Sequence, residues 1–461
     1  MIGPGLGRTT LSEPEDLGQH AVGDLSARSY VTYFFGVVVI GLTVACIYHA
    51  LLARAGYGFP WNTFLFMPED RYNDWHNSVA AAATLDPYYT PRRALSVYFP
   101  FAYFVFLLGA GLSWVANSAL FLAVSFGLLV GAVVFTWSRG RPAAVAHGDA
   151  DAKELALLLL AVLLSYPVLF ALDRGNLEVW IASICVFYVA ALGTRHEWLG
   201  YALLSLAIAV KGYPVAFLAL ALARRSYRGA VLCGLAAVAL NVIALACMKG
   251  GIVHNFQGWL TNLGAFQQLY VLGPRSLFAT SDPYDGVRSL VWIVPDAWKY
   301  LVPAGDIVPG VQAWSATILR PYSVLSLAFA LCGAFFVLFV PARHWQRVMA
   351  VCLIVLLFPN VANDYKLCML LPGVLALVLE QERNRRGWIA LMLVCLLMIP
   401  KSYYFFAGGH IGVTNLINPV LLIALAAVVI VDGDAWRKVS LRRCPESAAA
   451  EYPAGSKGGS A

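Results

Sequence analysis

Tyr30-Val31-Thr32-Tyr33-Phe34-Phe35-Gly36-Val37-Val38-Val39-Ile40-Gly41-Leu42-Thr43-Val44-Ala45-Cys46-Ile47-Tyr48-His49-Ala50-Leu51-Leu52-Ala53 is an apolar run long enough to cross a bilayer. A hydrocarbon core of roughly 30 Å takes about 20 helical residues. The first large polar break follows it: Pro68-Glu69-Asp70-Arg71-Tyr72-Asn73-Asp74-Trp75-His76-Asn77. A carboxylate-rich loop in that place suits a membrane enzyme that deprotonates a polar acceptor at the lipid surface, and Asp74 is the leading candidate for the base.

Composition agrees with the class. Of 461 residues, 60% are hydrophobic and only 12% charged, and the mean hydropathy is +0.71. A soluble protein of this size needs many more charges to cover its surface, so this is a polytopic membrane protein. The net charge of +7 does not point to nucleic acid, because the basic residues fall in short clusters between apolar runs. That is the pattern of membrane topology. The nine cysteines show no paired spacing, which argues against a disulfide framework or a zinc site.

Apolar runs predict helices near 30–53, 116–136, 155–172, 177–193, 229–248, 320–341, 388–405 and 413–431. The stretch 347–380 reads as two short helices joined by a polar turn at Pro359-Asn360-Val361-Ala362-Asn363-Asp364-Tyr365-Lys366. Two stretches decide the topology together. Residues 97–113 either span or lie inside the first loop, and 198–223 is one helix or two broken at Lys211-Gly212-Tyr213-Pro214. With Arg224, Arg225 and Arg228 cytoplasmic, the positive-inside rule favours a loop helix and a broken helix. An intact 198–223 helix would also carry Lys211 at the bilayer centre, at roughly 2.5 to 3.5 kcal/mol.

The expected architecture is therefore all-α, a bundle of about 12 transmembrane helices with both termini cytosolic. It comprises an N-terminal tail (1–29), a catalytic membrane module (30–248) with first external loop 54–115, a large external loop 249–319, C-terminal membrane helices (320–432) and a partly disordered tail (433–461). Turns at Arg174, Lys211 and Asp364 face outward below the membrane surface and line a cavity, where charge usually marks a substrate path.

The outward residues carry a resemblance. Asn73-Asp74-Trp75-His76-Asn77, then Asp86-Pro87-Tyr88-Tyr89 and Tyr98-Phe99-Pro100, resemble the first external loop of the GT-C superfamily of polyprenol-phosphate-dependent glycosyltransferases. Arg174-Gly175-Asn176 heading a helix, with Lys211-Gly212-Tyr213-Pro214 after it, strengthens the likeness, which is greatest to glycosyltransferase family 87. It covers roughly residues 30 to 225. By position, Asp74 matches the superfamily's loop carboxylate. The sequence lacks the Asp-X-Asp form of some relatives, so metal chelation is not carried over, and the resemblance implies a family that works without a metal or other cofactor. It also implies a GT-C-like bundle with large first and fourth external loops, and a polyprenyl-phosphate-linked donor with mannose as the default sugar. The expected acceptor is a glycolipid or glycan, reached on the periplasmic or extracellular face of a bacterial plasma membrane.

Such a transfer needs a base, positive charge for the leaving phosphate, and a lipid groove. Asp74 is the expected general base, with inversion at the anomeric carbon, or else a cap for the helix that Trp75 begins. Arg174, Lys211 and Lys366 are candidates for the donor phosphate. The plain alternatives are that Arg174 pairs with Asp173 or Glu178, that Lys211 snorkels to the interface, and that Lys366 and Asp364 form a solvated outward pair. Asp70, His76, Asn176, Tyr98 and Asp364 are candidates for holding acceptor or sugar. The rival class is a transporter or flippase for a lipid-linked sugar, disfavoured by the absence of two similar halves.

Overall fold

The computed structural model describes residues 15–59, 61–65, 69, 71–90, 95–140, 149–268, 307–359, 363–380, 384–401, 404–406, 411–431 and 436. The first helices in chain order are α1 Glu15–Arg54, α2 Asn73–Ala82, α3 Pro100–Phe106, α4 Trp114–Gly140, α5 Asp149–Leu163 and α6 Tyr166–Arg174. They are followed by α7 Glu178–Ala191, α8 Glu197–Val210, α9 Leu218–Ala223, α10 Tyr227–Cys247 and α11 Gly251–Phe266. The C-terminal part holds α12 Ile307–Phe339, α13 His344–Leu357, α14 Leu371–Val378, α15 Arg385–Met398 and α16 Val413–Ile430. Tighter 3-10 turns extend α3 over Leu107–Gly109 and lead into α9 over Tyr213–Phe217 and into α14 over Asp364–Leu370. A small antiparallel pair, β1 Tyr404–Phe406 with β2 Ile411–Gly412, precedes α16.

Tyr30–Arg54, Trp114–Gly140, Tyr227–Cys247 and Arg320–Phe339 are long and apolar enough to cross a membrane, with α5 and α6 a fifth if that bent pair is one span. The chain is an integral membrane protein. Its other apolar helices run 10 to 17 residues. A 14-residue helix such as α7 rises only about 21 Å, so length and composition alone do not reach the expected dozen crossings.

Burial sorts the helices into an inside and an outside. α7 and α13 are buried nearly all round, as a uniformly apolar helix must be when it sits in a bundle core. α7 packs between α4 and α8, and α13 between α12 and α14. Around them α1, α4, α10 and α12 leave Ile40, Val44, Ile47, Val115, Leu235, Val238, Leu325 and Leu331 exposed. Apolar exposure on that scale is the lipid-facing surface of a membrane protein.

Several helix bounds depart from the sequence reading. Residues 155–172 do not form one helix: α5 and α6 meet at a 54° bend. Pro167, in the first turn of α6, lacks an N–H and its ring would clash with the carbonyl four residues back. α1 begins at Glu15, within the stretch read as a polar tail, because Glu, Gln, Leu and Ala over 15–27 are good helix formers. α15 stops at Met398, ahead of Pro400, instead of running to 405. α11 and the start of α12 lie inside the stretch 249–319 that was read as loop. The two ambiguous stretches take the short forms. Residues 100–109 make a helix of about 15 Å packed on α2, α8 and α10, and 198–223 breaks at Lys211-Gly212.

Candidate active site

Trp75 fixes the position of α2. It is fully buried among Phe106, Phe121 and Trp180, and its indole N–H donates to Asn117 Oδ1 at 2.5 Å. One residue earlier, the Asp74 side chain leaves α2 on the side facing the end of α6. Its carboxylate caps nothing in its own helix: α2 begins after Tyr72, and no side chain caps it.

The end of α6 supplies the partners. The main-chain N–H of Tyr72 donates to Asp173 O at 2.7 Å, clamping the start of α2 to the Asp173-Arg174-Gly175-Asn176 turn. Gly175 closes α6 in the left-handed region at φ +67, and a Cβ there would sit 2.9 Å from Tyr72 Cα and from Trp75 Cβ. Glycine is therefore required twice, by conformation and by space. Gly175→Ala is expected to cost about 1 to 2 kcal/mol for the left-handed conformation alone, with more for the clash, and to push α2 away from α6. Thermal unfolding in detergent checks this, with Gly264→Ala as a control, since a Cβ at Gly264 meets nothing within 4 Å. Equal melting temperatures for the two variants would contradict the clamp.

The turn brings six side chains into one network. Arg174 Nη2 donates to Asp74 Oδ1 at 2.6 Å and Asn176 Nδ2 to Asp74 Oδ2 at 2.8 Å. The Asn176 amide is oriented by its other end, where Oδ1 accepts from Lys211 Nζ at 2.9 Å and from the main-chain N–H of Glu178 at 3.1 Å. Lys211 also donates to Glu178 Oε1 at 3.0 Å, and Tyr213 donates its hydroxyl to Glu178 Oε2. Arg174 thus pairs with Asp74, while Asp173 is engaged by Arg71 at 3.4 Å. Lys211 is held inward at the helix break and does not snorkel. A Cβ at Gly212 would sit 2.6 Å from the end of the Phe99 ring, so the ring packs on the break because that position carries no side chain.

Two ammonium groups lie over aromatic faces. Lys211 Nζ is 5.2 Å from the Tyr98 ring centroid, and Lys366 Nζ is 4.4 Å from that of Tyr213. Such contacts stabilise a desolvated cation by about 2 kcal/mol. Lys366 is buried and has no carboxylate partner among the described residues. Burial, with the Asp74 and Glu178 carboxylates nearby, pushes the Tyr98 phenol upward and keeps it a neutral donor. The cations Arg174, Lys211 and Lys366 outnumber the carboxylates Asp74 and Glu178, leaving the cluster one positive charge with no internal partner.

The remaining candidates lie elsewhere. His76 follows Asp74 by two residues, which is about 200° around a helix, and points the opposite way. Its Nε2 meets Ser118 Oγ at 3.0 Å, its ring stacks on Trp114, and burial lowers its pKa. Asp364 does not pair with Lys366. It is buried and accepts from Tyr166 at 3.2 Å and Asn418 at 3.0 Å, tying α6 to α16. The physical reason is the tight 3-10 turn, which sends the two side chains to different neighbours. Asp70 lies outside the described residues. Among the described residues no cluster of His, Cys, Asp and Glu could hold a metal ion.

The sequence profile of glycosyltransferase family 87 matches residues 97–341, more than half of the 461 residues. The chain belongs to glycosyltransferase family 87. As a family 87 glycosyltransferase it takes a sugar donor and an acceptor, and it does so in the membrane. The matched span holds Arg174, Asn176, Glu178, Lys211 and Tyr213, while Asp74 and Lys366 reach the same cluster from outside it. Among curated proteins none matches the chain. The sequence by itself does not place Glu178 and Tyr213 in this cluster. The available signal was Glu178 itself, an acidic residue at the head of an otherwise uncharged apolar helix.

Proposed function

We propose that this family 87 glycosyltransferase moves a sugar, mannose by the family likeness, from a polyprenyl-phosphate donor to a glycolipid or glycan acceptor. The reaction inverts the anomeric carbon on the outer face of a bacterial plasma membrane. About 12 crossings with both ends cytosolic would bring the first loop and the Arg174, Lys211 and Asp364 turns to that face. The observation that carries the reading is the joining of Asp74 to Arg174, Asn176, Lys211 and Glu178 in one network, with Lys366 beside it.

The chemistry follows from that grouping. An ionised carboxylate has about four lone-pair sites, and Arg174 and Asn176 use two of Asp74's. A further site accepts the acceptor's hydroxyl proton as its oxygen attacks the anomeric carbon. The bond to the phosphate oxygen breaks on the opposite side, and the electron pair leaves with the lipid phosphate. Lys366 and Lys211, with Arg174, supply fixed positive charge where that phosphate charge grows, and in a partly dehydrated site such preorganised charge counts for far more than in water. Tyr98 and Asn176, which border both groups, are the sugar- or acceptor-contacting residues of this reading.

Membranes expressing the chain, offered radiolabelled polyprenyl-phosphate-mannose and a mixed glycolipid extract, test it. Label is expected in the glycolipid. Transfer from a nucleotide sugar with none from the lipid phosphate overturns the donor assignment. Label crossing the membrane without being transferred makes the chain a transporter instead.

A further inference from the structure

Helix α11 is built inside out. Its protein-facing side is polar: Asn255 donates to Lys249 O at 2.7 Å and Gly251 O at 2.8 Å, and Asn262 to Tyr88 O at 3.0 Å and Ser96 O at 3.2 Å. His254 stacks on Tyr89 at 4.0 Å and lies 3.6 Å from Asp86. Gly258 seats against both Tyr88 and Tyr89, where a Cβ would find no room. The outward side carries Ile252, Val253, Phe256 and Leu260, all exposed. A helix docked on a protein in water shows the reverse arrangement.

We infer that α11 lies in the membrane–water interface, with Ile252, Phe256 and Leu260 in contact with lipid acyl chains and Gln257 and Thr261 facing water. At about 100° per residue, positions 252, 256 and 260 form one stripe, and 257 and 261 a second stripe about 100° around from it. The protein-facing stripe at 255, 258 and 262 completes the circumference. Each surface therefore matches a different neighbour: acyl chains, water and the first loop.

Three further observations select lipid as the occupant of the apolar stripe. α11 contains no Asp, Glu, Lys or Arg over its 16 residues. It follows the span α10 after only the Met248-Lys249-Gly250 turn, and α10 carries the exposed lipid-facing residues Leu235, Val238, Val242 and Ile243, so the apolar surface continues from one helix to the next. Lys249, exposed at the junction, is the charged residue that marks the end of a span at the headgroup level. Trp259 packs on Phe99 at 5.1 Å, and Phe99 lies against Gly212, so the break that holds Lys211 is tied to a helix seated at the membrane surface. This placement does not depend on which sugar or donor the protein uses.

Nitroxide labels at Phe256→Cys, Leu260→Cys, Gln257→Cys and Thr261→Cys test the placement, with Cys46, Cys247, Cys332 and Cys444 replaced by Ala and the protein in nanodiscs of phosphatidylcholine and phosphatidylglycerol. Collision with oxygen, which partitions into lipid, is compared with collision with a water-soluble nickel chelate. The oxygen-to-nickel ratio is expected to be several-fold higher at 256 and 260 than at 257 and 261. Equal ratios at all four positions overturn the inference. Low accessibility to both probes at 256 and 260 overturns it as well, because the stripe would then be covered by protein.

Discussion

Asp74→Asn is expected to leave the protein folded and to reduce sugar transfer by about 10²- to 10⁴-fold, the usual contribution of a general base. Asparagine keeps the shape and can still accept from Arg174, but it cannot take a proton from an attacking hydroxyl. Its N–H₂ would face either the Arg174 guanidinium or the Asn176 amide, so one of the two bonds at 2.6 and 2.8 Å is lost. That loss is small beside the chemical one, because Trp75, fully buried one residue on, still anchors α2. Transfer rate and melting temperature measured on the same purified variant separate the two. Near-normal transfer by a stable Asp74→Asn protein would remove Asp74 from the chemistry.

Lys366→Met is expected to lower kcat/KM for the lipid-phosphate donor by about 10²- to 10³-fold, the range seen when one preorganised donor to a developing negative charge is removed. Stability should hold or rise. Lys366 is buried over the Tyr213 ring and has no carboxylate partner among the described residues, so methionine removes a desolvated charge without orphaning another. Lys211→Met differs in kind. It strips Glu178 of its ion pair and leaves the buried carboxylate only the Tyr213 hydroxyl as a donor, and breaking a buried pair from one side costs about 3 to 5 kcal/mol. The contrast is the informative part. A Lys366→Met protein that is fully active and more stable would reduce Lys366 to a packing residue.

What the sequence made legible was what it encodes locally. Charge-free apolar runs announced the apolar helices, four of which are long enough to cross a membrane, and a lysine followed by Gly-Tyr-Pro in the middle of one favoured the break at Lys211, since burying that charge mid-helix is costly. The corresponding break before α6 was missed although Pro167 stood there, because the apolar run continues through it and hydropathy is blind to backbone hydrogen bonding. The site was legible as residue types only. Asp74 and Arg174 are separated by 100 positions, and nothing in either neighbourhood says that the end of α6 meets the start of α2. Gly175 was quoted as part of a motif, but its reason, the close approach of Tyr72 and Trp75, is a tertiary fact. Glu178 was seen only as a possible partner of Arg174; its part in holding Lys211 and Tyr213 depends on a helix break 33 residues further on. α11 was read as loop because its polar residues interrupt its apolar ones, and only its docking on the first loop shows that the two sets face different surroundings.

The proposed reaction is a single displacement at the anomeric carbon, with Asp74 on one side and the lipid phosphate on the other. The most direct measurement is the anomeric configuration of newly transferred sugar, read by NMR on product made by the purified protein from a polyprenyl-phosphate-sugar of known configuration. A single displacement gives a product configuration opposite to that of the donor. Retention would mean a double displacement through a second nucleophile, and would contradict the role given to Asp74.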